Sequence, residues 1–191
     1  MARYEGDLKH RIDAAAIHLF AERGADATPM PMIAEHAGVA VGSLYRYYGN
    51  KEELVTRLYG ENYAGLARAL DRTQTKEAAT RDKIAAMVRF ICGYFDREWD
   101  LARFLLLEQH VRLKTYAGEA NPVDIVRDVL AEGMRRGEVR QLDEMLASAL
   151  VMGPVIQAAT FHAYGRLTGA LSDMADEIAQ GIWAAIGKQR D

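Results

Sequence analysis

The sequence predicts an all-α fold: an N-terminal three-helix domain with a helix-turn-helix, then a larger C-terminal helical bundle. Three observations predict it. Apolar residues recur at helical spacing along nearly the whole chain. No segment alternates like a strand or follows a βαβ order, and there are no internal repeats or low-complexity runs. Residues 28–51 spell a short helix, a glycine turn, a second short helix and the capped start of a third. The boundary is expected near residue 51, with a reader over 1–51, a second domain over 52–191, and the helix that begins at Lys51 joining them.

The elements follow in order. Ile12, Ala15, Ala16, Leu19 and Phe20 form one apolar face of a first helix, which Gly24 ends. Thr28 is expected as the next N-cap with Pro29 at the first helical position, and Pro31 is tolerable there because first-turn N–H groups lack intrahelical partners. Ile33, Ala34 and Ala37 face inward, Gly38 turns the chain, and Leu44 and Tyr48 pin down a second short helix, Val41 to Tyr48. Asn50 and Glu53 make a near-capping-box for a long helix to about Arg72. Further helices are expected over 80–98, 100–116, Pro122 to Gly137, 142–166 and 171–187.

Composition narrows the function classes. Half of the 191 residues are hydrophobic and 27% charged, as in ordinary globular domains. The single cysteine, Cys92, cannot form an intramolecular disulfide, and the charged N-terminus has no apolar run, so a cytoplasmic location without a secretory signal is expected. Net charge is −3, and residues 1–51 carry as many acidic as basic side chains. From His36 to Lys51, however, the charged residues are Arg46 and Lys51 alone. Phosphate affinity must come from that patch, with Arg3, Lys9 and Arg11 as candidate helpers. Met145 to Gly165 is uncharged and about as long as a membrane span, but Ser148, Gln157, Thr160 and His162 interrupt it. A helix apolar all round is also what burial on two sides produces. No membrane association is expected.

The second short helix carries the chemistry. Leu44 and Tyr48 point into the core, so Tyr45 and Tyr47 lie on other faces, where their hydroxyls reach phosphates. Gly42 allows a close approach to base edges, Ser43 hydrogen-bonds permissively, Val41 can meet a thymine methyl, and Arg46 suits a guanine edge or a phosphate. Lys51 at a helix N-terminus opposes the macrodipole unless an anion sits nearby. Thr28 completes the set of candidate DNA contacts. These residues, as Ile33-Ala34-Glu35-His36-Ala37-Gly38-Val39, Gly42-Ser43-Leu44-Tyr45-Arg46-Tyr47-Tyr48 and Asn50-Lys51-Glu52-Glu53-Leu54, resemble the signature of the TetR family of transcriptional regulators. The resemblance is dense over residues 8–58 and only architectural beyond residue 60. It implies a bacterial homodimer that binds a double-stranded, palindromic DNA operator, represses transcription, is released by a small-molecule effector, and pairs through its last two helices. Pro29 and Pro31 depart from the hydroxyl or basic residues the family often has there.

Two further sites are expected in the second domain. A kink at Gly153-Pro154 would open an apolar pocket on the inner side, lined by Phe95, Trp99, Phe104, Glu108, Met152, Gln157, Thr160 and Phe161. It suits a largely hydrophobic effector with a few hydrogen-bonding groups. Leu171, Met174, Ile178, Ile182 and Ile186 form a stripe, bordered by Ala175, Ala179 and Ala185, and with the uncharged helix 142–166 as a second apolar surface they suit a four-helix dimer interface, two helices from each chain. The competing readings are a packed core at both places, a constitutive DNA-binding protein without effector, and a helical-bundle enzyme. The last finds little support. None of His10, His18, His36, His110 and His162 has a Glu three residues before it, and there is no His-Glu-x-x-His, Cys pair or Gly-rich phosphate loop. No catalytic residue, metal or cofactor is expected.

Overall fold

The computed structural model of the chain describes residues 2–114, 116, 118 and 120–188, with residues 2–6 in backbone only. Nine helices run along them: α1 (Ala2–Arg23), α2 (Met30–Ala37), α3 (Val41–Tyr47), α4 (Lys51–Gln74), α5 (Thr80–Arg97), α6 (Trp99–Arg112), α7 (Pro122–Arg135), α8 (Glu144–Ala163) and α9 (Leu171–Ile186). Among the described residues, the extended backbone pairing is an isolated antiparallel bridge between Val139 and Gly187. The contacts divide the chain into two units, residues 1–62 with 100–117, and residues 63–99 with 118–191. The expected reader, residues 1–51, lies inside the first unit, which also takes in the start of α4 and nearly all of α6.

In the first unit, Ile12, Ala16, Leu19 and Phe20 of α1 are buried with Ile33 and Ala34 of α2, Leu44 and Tyr48 around α3, and Leu54, Leu58 and Tyr59 of α4. Each large apolar side chain so buried stabilises by about 1.5–3 kcal/mol before entropy is charged against it. The α2–α3 turn rests on Gly38, whose φ of 64° is a left-handed conformation that a side chain disfavours. A Cβ there would also lie 2.8 Å from the Arg11 guanidinium. Asn50 caps α4 as expected, its side chain accepting the Glu53 N–H at 2.9 Å. The Glu53 carboxylate accepts from Gly49 rather than Asn50, at 3.0 Å, so the reciprocal bond falls one residue early.

The α2 start differs from expectation. Pro29 is the N-cap and the helix begins at Met30, with no side chain capping it. Thr28 is fully buried, its hydroxyl donating to the Gly24 carbonyl at 2.8 Å. Its short side chain reaches back to the unpaired carbonyls at the end of α1, and that bond competes with a forward cap.

In the second unit, α5 packs on α7, α8 and α9, and α8 packs on α7 and α9. Asn121 caps α7, accepting the Val123 N–H at 2.9 Å, and Asp143 caps α8 through the N–H groups of Met145 and Leu146. By length and composition α8 could cross a membrane, but one of its faces, including Ala147, Val151, Val155 and Ala159, is buried in this unit. Helix α8 continues through Pro154, and both Gly153 and Pro154 are exposed. The expected opening on the inner side is therefore corrected: the lost Pro154 hydrogen bond falls on the outward face, where water can satisfy the freed carbonyl.

Candidate nucleic-acid interface and regulatory surfaces

α3 is two turns long, so two anchors are enough to orient it. Leu44 and Tyr48 are fully buried, which turns Val41, Gly42, Tyr45 and Arg46 outward and leaves Ser43 and Tyr47 half-buried. Tyr45 keeps 47% of its surface. Arg46 is exposed, without an ion pair or hydrogen bond among the described residues. A Cβ built on Gly42 would meet nothing within 4 Å, so no intramolecular crowding requires a glycine there. What the bare backbone provides is clearance toward the outside.

Tyr48 does more than fill space. Its hydroxyl donates to the Asp13 carboxylate at 2.5 Å, and Asp13 also pairs with Lys9 at 2.7 Å. Burial, then the Asp13 carboxylate, pushes the phenol well above its ordinary pKa. Burial alone would lower the Lys9 ammonium, but Asp13 and Tyr48 override it and raise that group too. The Arg57 guanidinium stacks over the Tyr48 ring, 4.9 Å from its centre. α3 is thus tied to α1 by a charged triad as well as by apolar contact.

The other basic groups near α3 are engaged internally. Arg11 donates to the Ala37 and Gly38 carbonyls at 2.5 and 3.0 Å, neutralising the C-terminal end of α2. Lys9 also lies 3.6 Å from Glu61, so neither helper is free for phosphate, while the Arg3 side chain falls outside the described residues. Lys51 donates to the Ala25 and Asp26 carbonyls at 2.8 and 3.1 Å, latching α4 to the turn after α1. Among the described residues its third N–H has no partner, which leaves it for an anion. Thr28 is withdrawn from the expected contacts, because it is buried and its donor is spent. The sequence carried no signal for the Lys51 or Arg11 latches, since their carbonyl partners lie about 25 residues away.

The eight residues of the expected pocket separate. Phe104 is fully buried in the first unit, stacked on Phe20 at 5.7 Å and edge-on to Tyr59 at 6.3 Å. Glu108 pairs with Arg112 at 3.3 Å in that unit, and Arg112 also grips Glu52, which its guanidinium holds below the usual carboxylate range. Gln157 and Phe161 are exposed on α8, so they do not line its inner side. Phe95, Trp99, Met152 and Thr160 belong to the second unit, Phe95 buried and the others half-buried. The Thr160 hydroxyl donates to the Ile156 carbonyl at 2.8 Å.

The α9 stripe also needs correction. Leu171, Ile182 and Ile186 are 0–2% exposed within the single chain, with Ala175 and Ala179 buried beside them, so they form its own core. Met174 and Ile178 remain half-buried. In this unit the exposed large apolar side chains are on α8, the second surface of the expected interface, where Met145, Leu146, Phe161 and, just past its end, Tyr164 keep 45–68% of their surface. The uncharged run from Met145 to Gly165 was its signal in the sequence.

With this geometry in place, known proteins are informative. Residues 12–58 match the family described as bacterial regulatory proteins, tetR family. The chain is 26% identical over 152 residues to the fatty acid metabolism regulator protein of Bacillus subtilis, covering 76% of this chain and 78% of that protein. A TetR family transcription regulator of Marinobacter aquaeolei superposes with a TM-score of 0.84 at 17% identity, over 99% of this chain and all of that one. The regulator FadR of Bacillus subtilis, in complex with stearoyl-CoA, superposes with a TM-score of 0.75 at 21% identity, over 91% of this chain and 97% of that one.

Proposed function

We propose that the chain is a transcriptional regulator of the TetR family, whose model its residues 12–58 match, and that it works as a cytoplasmic homodimeric repressor released by a long-chain acyl effector. The observation that carries the DNA reading is the outer face of α3. Val41, Gly42, Tyr45 and Arg46 stand clear of the protein there, on a helix held from below by Leu44 and Tyr48. Ser43, Tyr47 and the free donor of Lys51 flank that face. In this reading Arg46 reads a base edge, Val41 meets a thymine methyl, and the tyrosines and Lys51 position the helix on phosphates.

Pairing follows from α8. Leu146, Ala149, Gly153, Phe161 and Tyr164 offer an outward apolar strip with small residues at its middle, and Met174 and Ile178 of α9 add what they leave exposed. Two such faces would form an interface of obligate size, above ~2,000 Å² in total. The dimer sets the separation of its two recognition helices, which must be roughly 34–36 Å to enter successive major grooves. An effector that binds a splayed dimer more tightly shifts the population away from that spacing by its differential affinity. The effector class is inferred from the stearoyl-CoA bound to the Bacillus subtilis relative.

The test is a gel-shift titration on DNA selected by the protein itself. Arg46→Ala is expected to cost about 1–3 kcal/mol on that DNA and to relax specificity at one position. Lys51→Ala should weaken binding to all sequences and flatten the salt dependence by about one unit of slope. Unchanged affinity in both variants would remove α3 as the reader. Stearoyl-CoA should release the wild-type protein from DNA.

A further inference from the structure

α3 is anchored unevenly. At its start stands Ala40, with no side chain capping the first turn. At its other end a polar network closes over the last residues. Tyr48 is fully buried, and its hydroxyl donates to Oδ1 of Asp13 on α1 at 2.5 Å, while Lys9 holds the second Asp13 oxygen at 2.7 Å. From α4 the Arg57 guanidinium donates to the Tyr47 carbonyl at 3.3 Å and lies 4.9 Å from the centre of the Tyr48 ring. Burial and the Asp13 carboxylate push the phenol's pKa up, so it remains a donor at neutral pH.

A buried phenol tolerates less than a buried phenyl ring does. Apolar contact is non-directional and lets a ring slide or tilt. A hydroxyl drawn away from its acceptor in the same place is left unpaired and forfeits its hydration. The Tyr48 bond therefore has one satisfied position along α1. That position fixes the rotation of α3, because Tyr48 follows the helix directly. The consequence falls on the outer face. A rotation of ~20° carries a side-chain tip about 5–6 Å from the helix axis through about 2 Å. A base-edge hydrogen bond does not survive such a shift, since its useful range spans about 0.5 Å. Attraction to a phosphate falls off slowly with distance and does survive it.

We propose that Tyr48 and Asp13 are positioning residues for sequence readout. Their hydrogen bond sets the angle at which Val41 and Arg46 meet base edges, and so governs discrimination between DNA sequences rather than attraction to DNA as such. The assignment rests on α3 being the DNA-recognition helix and deepens that reading: neither residue touches DNA, and both act through α3.

Dissociation constants of the full chain for the DNA it selects and for a random duplex of equal length, at one salt concentration, test it through their ratio. A variant that merely folds less well loses active protein for both duplexes alike, so stability does not move the ratio. Tyr48→Phe, which keeps the ring and loses the hydroxyl, is expected to lower the ratio about tenfold with random-duplex affinity unchanged. Asp13→Ala should do the same, and the double variant should lose no more than either single one, because both break one bond. Asp13→Asn, whose amide oxygen still accepts from the phenol, should stay within about threefold of wild type. A wild-type ratio in Tyr48→Phe would overturn the assignment and leave α3 as the reader. A loss in Asp13→Asn equal to that in Asp13→Ala would overturn it too, by tracing the effect to charge rather than to the bond. So would additive losses in the double variant. Equal affinity of the wild-type protein for both duplexes would overturn both readings.

Discussion

α8 and α9 are neighbours in the chain and in the second unit, yet they use their apolar residues in opposite ways. α9 turns Leu171, Ala175, Ala179, Ile182 and Ile186 inward, against a unit in which α5 is a main partner, and shows Ser172, Asp173, Asp176, Glu177 and Gln180 outside. α8 buries one face and still exposes Met145, Leu146 and Phe161 on the other. A helix with a polar back has a single place to put its apolar stripe. A helix with two apolar faces is satisfied by its own fold on one side only. The second kind is where a partner is to be sought.

Four measurements break or sharpen this contrast. Ile182→Ala on α9 should destabilise the subunit by about 2–5 kcal/mol in denaturant unfolding, as for deletions in a close-packed core. A loss below about 1 kcal/mol would return that stripe to the surface. Leu146→Glu with Phe161→Glu on α8 should leave a folded chain that sediments as a monomer at micromolar concentration. It should also bind DNA roughly a hundredfold more weakly, because two half-sites are no longer engaged together. A dimer that survives both charges would move the interface elsewhere.

Asp96 of α5 accepts the Leu171 and Ser172 N–H groups at the start of α9, at 2.9 Å each, and Asp96→Ala, which removes that cap, should cost about 1 kcal/mol. Because the folded carboxylate titrates below its ordinary value, that contribution is complete above the unfolded pKa and fades as pH falls through the lowered folded one. The wild-type advantage should thus be flat near neutrality and shrink in acid; an advantage that grew in acid would contradict the capping role. The smallest effect is expected at the exposed Arg89–Asp176 pair, 2.6 Å apart between α5 and α9. Arg89→Ala should change stability by less than about 1 kcal/mol, and less still in high salt.

The reader and the second unit were not equally legible. α3 could be read from Val41 to Tyr48 because a two-turn helix with two obligatory anchors has few arrangements, and placing Leu44 and Tyr48 inward places Tyr45 and Arg46 outward. The helix order, the Asn50 cap and the Gly38 turn were legible for the same reason: each depends on residues within one or two turns. Thr28 misled because two local bonds compete for one hydroxyl, and the backward bond to Gly24 wins. Phe104 and Glu108 misled because helical spacing identifies an apolar or charged face but not the helix that meets it.

The sequence by itself determined the helices, the turn that joins α2 to α3, and the chemistry carried on α3, since these follow from periodicity, capping and the conformational freedom of single residues. The tertiary structure alone decided which apolar stripe became core and which remained on the surface. It also decided which basic groups were spent on carbonyls, as Lys51 and Arg11 are, and which stayed free, as Arg46 is. The reason is physical: local rules act between residues a few bonds apart, whereas burial and hydrogen-bond partners are set by long-range packing, in which several apolar faces compete for one core.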